Sequence, residues 1–277
     1  MMLNFAFFSL VFITSHHHHS EKNALPRLRS ESVAIRFADT QEILLQKNAD
    51  VVRPIASVTK LLSGVVLEQV DINNDQVVTI SDDDKDKLKW SKSRLRVGLS
   101  FHPLQLLNAA LGASDNRAIY AIVRAIGMTR TAFAEQMNHT AAALGMTHSH
   151  FVDPAGIDPN NVSTANDLLQ LVQAASENEV LRQCTLQSKI DLQSDARHVV
   201  HLMNPDRLAR SGKWDLVVGK TGYTIEAGRS LVLRTLISGR PVDMVFLGAH
   251  EMASVFGDAA RVRQWLSLKF VGQLARS

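Results

Sequence analysis

Residues 215–247 read DLVVGKTGYTIEAGRSLVLRTLISGRPVDMVFL, and this stretch decides the fold. It contains three runs rich in long apolar and β-branched residues, at 215–220, 230–237 and 242–247. Such runs, bounded by glycine, proline and small polar residues, are typical of strands. The second and third runs are separated by residues 238–241, which is a usual length for a hairpin connection. The stretch therefore predicts three strands, with the last two paired as a hairpin.

Further strands are predicted near the N-terminus, and helical patterns fill the middle of the chain. Residues 32–37 (SVAIRF) and 42–46 (EILLQ) predict a hairpin. Apolar residues at helical spacing predict an amphipathic helix after Pro54 and further helices at 103–111, 117–126, 133–144, from a cap at 163–167 to about 175, and at 253–274. Strands at both ends with helices between them indicate an α+β fold with one mostly antiparallel, five-stranded sheet flanked by helices.

Length and composition favour a globular protein without a nucleic-acid partner. The chain has 277 residues, of which 45% are hydrophobic, so it can bury a sizeable core. Its formal net charge of +3 arises from 30 basic residues scattered among 27 acidic ones, which is no nucleic-acid signature. Cys184 is the only cysteine and lies in no motif, so neither an intrachain disulfide nor a cysteine nucleophile is expected. The charged segment 81–89 (SDDDKDKLK) is interpreted as a solvated loop or helix start.

The N-terminus resembles a leader segment. Residues 1–15 (MMLNFAFFSLVFITS) form an apolar run that is short for a bilayer span and suits the core of a signal peptide. No basic residue precedes the run, no A-x-A site follows it, and four histidines occupy 16–19. We expect residues 1–24 to be a leader, residues 25–277 to form a single domain, and the protein to be exported to the periplasm.

The first of three short motifs, residues 57–60 (SVTK), lies where the helix after Pro54 begins. Residues i and i+3 share one helix face, with Cβ atoms roughly 5–6 Å apart, so the Lys60 amine can reach the Ser57 hydroxyl. A serine is a weak nucleophile until a base takes its proton. Burial, or a second cation such as Lys220, would lower the pKa of Lys60 and make it such a base. Taken alone, the motif also fits an N-cap serine followed by a surface lysine.

The second motif, residues 114–116 (SDN), lies between two predicted helices. Ser114 can relay a proton between a lysine and a leaving nitrogen, and Asn116 can hydrogen-bond a substrate amide. The same residues would also serve as an ordinary helix N-cap. A similar triplet at 176–178 (SEN) follows the end of a helix and is interpreted as a chance match.

The third motif combines Lys220, Thr221 and Gly222 on a predicted strand. An edge strand can pair with an extended peptide, and these side chains supply a cation and a hydroxyl for a carboxylate. Gly222 lets a substrate approach the backbone closely. A phosphate loop is excluded, since its first glycine would have to stand where Trp214 is found.

In this order, the three motifs resemble those of the serine enzymes that penicillin inhibits. The chain is most similar to the D-alanyl-D-alanine endopeptidases among the low-molecular-mass penicillin-binding proteins. The resemblance covers roughly residues 30–250 and is carried by residues 54–62 (PIASVTKLL), 141–156 (AAALGMTHSHFVDPAG), 161–168 (NVSTANDL) and 218–229 (VGKTGYTIEAGR). It implies a β-lactamase/transpeptidase-like fold, in which the sheet and its helices lie beside an all-helical lobe and the site lies between them.

The resemblance also implies a role for each motif residue. Ser57 would be acylated by D-alanyl bonds of peptidoglycan stem peptides and by β-lactam antibiotics, with Lys60 as the base. The backbone N–H groups of Ser57 and Tyr223 would form the oxyanion hole. No cofactor or metal is implied. The other residues would line the two walls of the site: Ser114, Asn116, Lys220, Thr221 and Gly222.

Three alternative functions remain. A class A-like β-lactamase needs a deacylating glutamate after the second motif, whereas residues 148–161 hold only Asp153 and Asp158 as acids. A metal enzyme would have to use two histidine pairs, His148 with His150 and His198 with His201, and no acidic ligand accompanies either pair. A catalytically silent wall-binding protein would retain the motifs without using them.

The bond that is cut is a separate question, because a carboxypeptidase removes a terminal D-alanine and an endopeptidase cuts a cross-link. Related carboxypeptidases often carry a further C-terminal domain, whereas 55 residues follow Gly222 here. We therefore expect the shorter endopeptidase type, with at most loose membrane association. Basic residues in the final predicted helix leave a membrane-lying helix as the alternative to packing on the sheet.

Overall fold

The computed structural model describes residues 25–70, 72, 75–194 and 198–274. The expected leader segment and its four histidines lie outside these residues. The described part forms eleven strands: β1 (Ser32–Phe37), β2 (Ile43–Lys47), β3 (Arg53–Pro54), β4 (Val78–Thr79), β5 (Ser100–Phe101), β6 (Val162–Ser163), β7 (Lys189–Gln193), β8 (Val199–Met203), β9 (Leu216–Thr224), β10 (Gly228–Ile237) and β11 (Arg240–Ala249).

The same part of the chain forms eight α-helices and two short 3-10 turns. The turns are Ala56–Val58 and Asp82–Asp84. The helices are α1 (Thr59–Leu67), α2 (Pro103–Gly112), α3 (Asn116–Ala125), α4 (Arg130–Ala143), α5 (Ala165–Glu177), α6 (Glu179–Leu186), α7 (Arg207–Ser211) and α8 (Met252–Leu274). None of these helices is both long enough and apolar enough to cross a membrane.

Five strands form the central sheet in the order β2-β1-β11-β10-β9. Each neighbouring pair is antiparallel, which confirms the predicted sheet. The connection between β10 and β11 is two residues long, and both Ser238 (φ 51°) and Gly239 (φ 81°) adopt the left-handed conformation that a tight hairpin turn needs. Strand β9, which carries the third motif, lies at one end of the sheet.

Helix α8 covers one face of the sheet. Val262, Trp265 and Leu266 are buried there among the inward residues of the strands. The ring of Phe270 packs on Phe37, with ring centroids 5.8 Å apart. The apolar side of this helix is therefore occupied by the sheet, as the packing alternative from the sequence predicted.

The opposite face packs against α5 and the helical lobe, with α1 at the centre. All nine residues of α1 are buried, and the helix contacts α2, α4 and α5. This helix, which the sequence predicted to be amphipathic, is thus buried on every side, although it includes Thr59, Lys60 and Ser63. The first motif is consequently fixed between the sheet and the lobe.

The charged segment 81–89 is only partly solvated, which corrects the expectation from sequence. Asp84 is 1% exposed, and its two carboxylate oxygens each accept a hydrogen bond from Arg124 at 2.9 Å. Asp86 is also buried and accepts N–H groups from residues 88, 89 and 91. The sequence of this segment does not show that Asp84 pairs with Arg124, 40 residues further along, or that Asp86 binds backbone N–H groups of its own loop.

Candidate active site

The three motifs meet at one pocket of about 220 Å³. Ser57 lies in the 3-10 turn before α1, Ser114 lies between α2 and α3, and residues 221–223 belong to β9. The remaining wall is formed by Arg229 and Ser230 of β10, by Pro205, and by two residues of α8. Sheet, lobe and C-terminal helix therefore all contribute to the cleft.

Two glycines let neighbouring segments approach the turn that carries Ser57. A Cβ atom at Gly222 would lie 2.8 Å from the Ile55 carbonyl oxygen, so β9 passes directly against the turn. A Cβ atom at Gly156 would lie 2.0 Å from the Ala56 carbonyl oxygen. Ala56 itself has φ +49°, which is unusual for a residue with a side chain. The backbone at the candidate nucleophile is thus held from both sides in a strained conformation.

Lys60 is fully buried and makes three short contacts through its amine. The Nζ atom lies 2.9 Å from the Ser57 hydroxyl oxygen, 2.5 Å from Asn116 Oδ1 and 2.7 Å from the Ala155 carbonyl oxygen. Asn116 is itself oriented by its Nδ2 group, which donates to the Ser91 hydroxyl at 2.9 Å. All three partners of the lysine are neutral oxygen atoms.

These partners fix how a neutral Lys60 must be oriented. A neutral amine has two N–H groups and one lone pair. The oxygens of Asn116 and Ala155 can only accept, so they take the two N–H groups. The lone pair is left facing the Ser57 hydroxyl, which can donate its proton. The geometry therefore suits Lys60 to act as a base toward Ser57.

Burial is also the largest influence on the protonation of Lys60. It lowers the pKa of this lysine from 10.5 to about 8, against the opposing effect of the carboxylates of Asp153, Asp115 and Asp86. Lys220, the second cation considered from the sequence, is itself a buried amine, and its pKa is lowered well below its usual value by burial and by Lys60.

The second wall of the cleft joins Ser114 to Lys220. Lys220 is 2% exposed, and its Nζ group donates to the Ser114 hydroxyl and to the Thr221 carbonyl oxygen, both at 2.9 Å. Ser114 adopts φ +58°, a conformation that places its side chain outside the regular start of α3. The serine of the second motif thus contacts the lysine of the third motif.

Asp115 explains why the second motif also matched a helix cap. Its side chain caps α3 by accepting the Ala118 N–H at 3.0 Å, and its other oxygen accepts the Ser93 hydroxyl at 2.7 Å. The structural and the chemical interpretations of this triplet therefore hold together. Asp115 holds the backbone, while its two neighbours project toward the lysines.

The strand residues at the cleft leave room for a ligand. Thr221, Gly222 and Tyr223 line the pocket, and Tyr223 is 51% exposed. The guanidinium of Arg229 lies 3.9 Å from the centre of the Tyr223 ring. The two lysines and Asn116 lie behind this lining, where Lys60 contacts Ser57 and Asn116, and Lys220 contacts Ser114.

Sequence reasoning missed two acids that shape the site. Asp153 was noted only as an acid beside a proline, yet its carboxylate accepts the N–H groups of residues 155–158 and so positions the Ala155 carbonyl. Asp206 is 2% exposed and caps α7, and its Oδ2 atom has no hydrogen-bond partner. That atom faces β9 so closely that a Cβ on Gly219 would lie 3.1 Å from it. Neither position belongs to a recognisable motif.

The histidine pairs considered for a metal site lie on the surface. The side chains of His148, His150, His198 and His201 are all exposed. Within the ranges that the structure describes, no group of three or more metal-ligating side chains is found.

The fold and the cleft together define the chain as a penicillin-binding, DD-peptidase type of protein. The profile of the peptidase S11 family, described as D-alanyl-D-alanine carboxypeptidase, matches residues 18–251. The chain therefore belongs to the peptidase S11 family and is a serine-type D-Ala-D-Ala peptidase. This confirms the resemblance, the fold class and the enzyme class expected from the sequence.

Individual relatives agree with that assignment. A Pseudomonas aeruginosa protein named D-alanyl-D-alanine endopeptidase is 35% identical over 240 residues, which is 86% of this chain and 77% of the relative. An Escherichia coli protein of the same name is 31% identical over 242 residues, covering 87% and 78% of the two chains. The crystal structure of the Streptomyces K15 DD-transpeptidase superposes with a TM-score of 0.79 at 26% identity, over 87% of this chain and 98% of that one.

Proposed function

We propose that the protein is an exported DD-endopeptidase that cuts D-alanyl cross-links of peptidoglycan, with Ser57 as nucleophile and Lys60 as its base. One observation carries the assignment of these two residues. The Lys60 amine is fully buried, 2.9 Å from the Ser57 hydroxyl, and its other two contacts are acceptors that direct its lone pair to that hydroxyl.

In the acylation step, the Ser57 oxygen attacks the carbonyl carbon of a D-alanyl residue and passes its proton to Lys60. The carbonyl oxygen becomes an oxyanion, which the backbone N–H groups of Ser57 and Tyr223 stabilise. Both backbones are held firmly, since Gly222 packs against the turn that carries Ser57. Donors fixed in this way need no rearrangement as the charge develops.

The leaving nitrogen then takes a proton from Ser114, and the bond between it and the carbonyl carbon breaks. Ser114 replaces its proton from Lys220, to which it is hydrogen-bonded at 2.9 Å. The product is an ester between Ser57 and the D-alanyl peptide. Lys60 then releases to solvent the proton that it took from Ser57, and Lys220 regains one from solvent. Neutral Lys60 takes a proton from the attacking water and passes it to the Ser57 oxygen as the ester bond breaks, which restores the free serine.

Lys220, Thr221, Gly222 and Asn116 bind the substrate. The extended peptide lies along β9, where Thr221 and the cation of Lys220 face the carboxylate that follows the scissile bond. A β-lactam ring places an amide and a carboxylate in the same relative positions, so such antibiotics acylate Ser57 and inhibit the enzyme.

The choice of endopeptidase over carboxypeptidase is supported by the names of the relatives from Pseudomonas aeruginosa and Escherichia coli. The family description favours carboxypeptidase activity as the alternative. We infer further that residues 1–24 are a leader, that residues 25–277 form the single catalytic domain, and that the enzyme works in the periplasm on cell-wall peptides.

Labelling with a fluorescent penicillin tests the nucleophile. The native protein is expected to form a stable adduct, and Ser57→Ala is expected to form none. Labelling that survives this substitution would overturn the assignment, and rapid hydrolysis of the drug would indicate a β-lactamase instead.

Digestion of purified muropeptides tests the bond that is cut. We expect cross-linked dimers to be converted to monomers, with products identified by mass spectrometry. Loss of terminal D-alanine from monomers, with the dimers left intact, would show a carboxypeptidase.

A further inference from the structure

A second open groove, of about 740 Å³, lies beside the catalytic cleft. The segment before the second motif forms most of its wall, and α3 supplies the rest. Its lining includes Lys85, Trp90, Ser91, Lys92, Arg94 and Arg117. The described function gives no role to this groove.

Trp90, in this wall, has both an exposed side chain and a strained backbone. Its side chain is 73% exposed, which is unusual for a large aromatic residue. Its backbone has φ +52°, a conformation that is a genuine outlier for a bulky side chain. Such strain is often retained where a side chain must be held ready for a ligand. Packing within the protein accounts for neither feature, because most of the ring lies in solvent.

The groove carries an excess of positive charge, because four cations line it and Asp86 is the one carboxylate in the lining. Arg94 and Arg117 donate to the backbone carbonyls of His201 and Leu95, and not to carboxylates. Across the described residues, Lys92 forms no ion pair either. Asp86 is buried, and its two carboxylate oxygens accept hydrogen bonds from three backbone N–H groups. Of the groove's cations, only Lys85 is paired with a carboxylate, that of Asp82.

The groove is connected to the reacting residues by direct contacts. The Ser91 hydroxyl in its wall accepts a hydrogen bond from Asn116 Nδ2, and Asn116 Oδ1 lies 2.5 Å from the Lys60 amine. The preceding Lys89 reaches across to Glu226, in the turn after β9, with both carboxylate oxygens at 2.6 Å. A ligand in the groove would therefore lie next to a substrate bound along β9.

We propose that this groove binds a carboxylate-bearing stem peptide, namely the second chain of a cross-linked substrate whose first chain reacts at Ser57. The cations complement the carboxylates of that chain, and Trp90 covers its apolar part. This inference rests on the proposed endopeptidase function and names how the enzyme would distinguish a cross-link from a single stem peptide.

A binding measurement tests the groove without turnover. The native protein is titrated with a synthetic stem peptide that lacks its D-alanyl residues, in free-acid and amidated forms, while tryptophan fluorescence is recorded. We expect the free acid to change the fluorescence and the amidated form to bind at least about fivefold more weakly, since its charges are removed. The signal should be lost in Trp90→Phe and kept in Trp214→Phe. Equal binding of both forms would overturn the proposal.

Charge variants supply the second arm. The double variant K92A/R94A is expected to bind the free acid about fivefold more weakly, and Lys87→Ala, an exposed lysine outside the groove, to bind it normally. On cross-linked dimers the double variant should raise KM about fivefold with kcat unchanged, while KM for monomers and the rate of penicillin labelling stay the same. Equal losses of activity on dimers, of activity on monomers and of penicillin labelling would show a structural defect and contradict the proposed binding role of the groove.

The two proposals can fail separately. If the native protein trims monomers and leaves dimers intact, the endopeptidase function is wrong. The fluorescence titration still decides whether the groove binds a carboxylate-bearing peptide. If dimers are cleaved but the titration shows no preference for the free acid, the proposed role of the groove is wrong and the endopeptidase function is unaffected.

Discussion

Among the described residues, one cluster of buried cations in the sheet and another in the cleft are held in opposite ways. In the sheet, Asp243 is fully buried between Arg36 and Arg234, at 3.0 and 2.5 Å from their Nε atoms. In the cleft, the amines of Lys60 and Lys220 are equally buried, yet each contacts only neutral oxygens.

The difference separates a structural charge from a chemical one. A buried cation with a bound carboxylate keeps its charge and fastens the segments that it joins. A buried amine with neutral partners is poorly compensated, so its pKa decreases and it can exchange a proton. The two buried lysines therefore lower the stability of the fold but can gain and lose protons. The cluster of Asp243 with Arg36 and Arg234 stabilises the sheet beside them.

The largest effect is expected from Lys60→Met. Without the base, acylation of Ser57 should fall by about 10⁴-fold, measured as the rate of labelling by a fluorescent penicillin. The exposed Lys213→Met serves as the control and should label normally. A residual rate within tenfold of the native rate would exclude Lys60 as the base.

The same variant is expected to change stability little. The pKa of Lys60 is lower in the folded state than the ordinary 10.5, so the charged amine costs stability below about pH 8, and the cost disappears as the pH rises toward 10.5. Removing the charged Lys60 amine near pH 7 increases the free energy of unfolding by about 3 kcal/mol. The loss of a hydrogen-bond donor to the oxygens of Asn116 and Ala155 offsets this gain. We expect the free energy of unfolding in urea to shift by less than about 2 kcal/mol.

Asp243→Ala should have the opposite profile. It leaves two buried guanidinium groups without a carboxylate, which costs about 3–5 kcal/mol of unfolding free energy. Molecules that remain folded should still acylate at the native rate. The triple variant with Arg36→Met, Arg234→Met and Asp243→Leu should recover most of the loss. A cost below about 1 kcal/mol for the single change would contradict the structural role of the cluster.

A smaller effect is expected from Asp206→Asn. Asparagine caps a helix as well as aspartate, so α7 should be preserved. The carboxylate of Asp206 raises the pKa of Lys220, and its loss lowers that pKa further. Because Ser114 needs a protonated Lys220, the decrease in the acylation rate on the alkaline side of its plateau should begin about half to one pH unit lower than in the native protein. Movement of the acid limb instead would mean that Asp206 acts on Lys60.

Much of the fold could be predicted because its strands are apolar runs bounded by turn residues. The segment 179–211 was missed, although β7 alternates exposed and buried residues, because its elements are short and interrupted by polar side chains. The sheet order and the central position of α1 depend on long-range packing, which local patterns do not contain.

The site was predictable as a set of residue types and not as a set of contacts. The three motifs identified the reacting groups, but nothing in their spacing shows that Ser114 contacts Lys220 while Asn116 contacts Lys60. Asp153 and the Ala155 carbonyl act through a loop whose fold is set by backbone hydrogen bonds. Asp206 reaches the site from a helix cap, a role that has no motif of its own.

The pH dependence of acylation tests the central claim most directly, namely that a neutral Lys60 activates Ser57. The rate of adduct formation with a β-lactam is measured from pH 5.5 to 9, and the adduct is mapped by mass spectrometry. We predict an adduct on Ser57 and a rate that rises about tenfold per pH unit before levelling near pH 8, where Lys60 loses its proton. A rate that is flat across this range, or an adduct on another residue, would contradict the account.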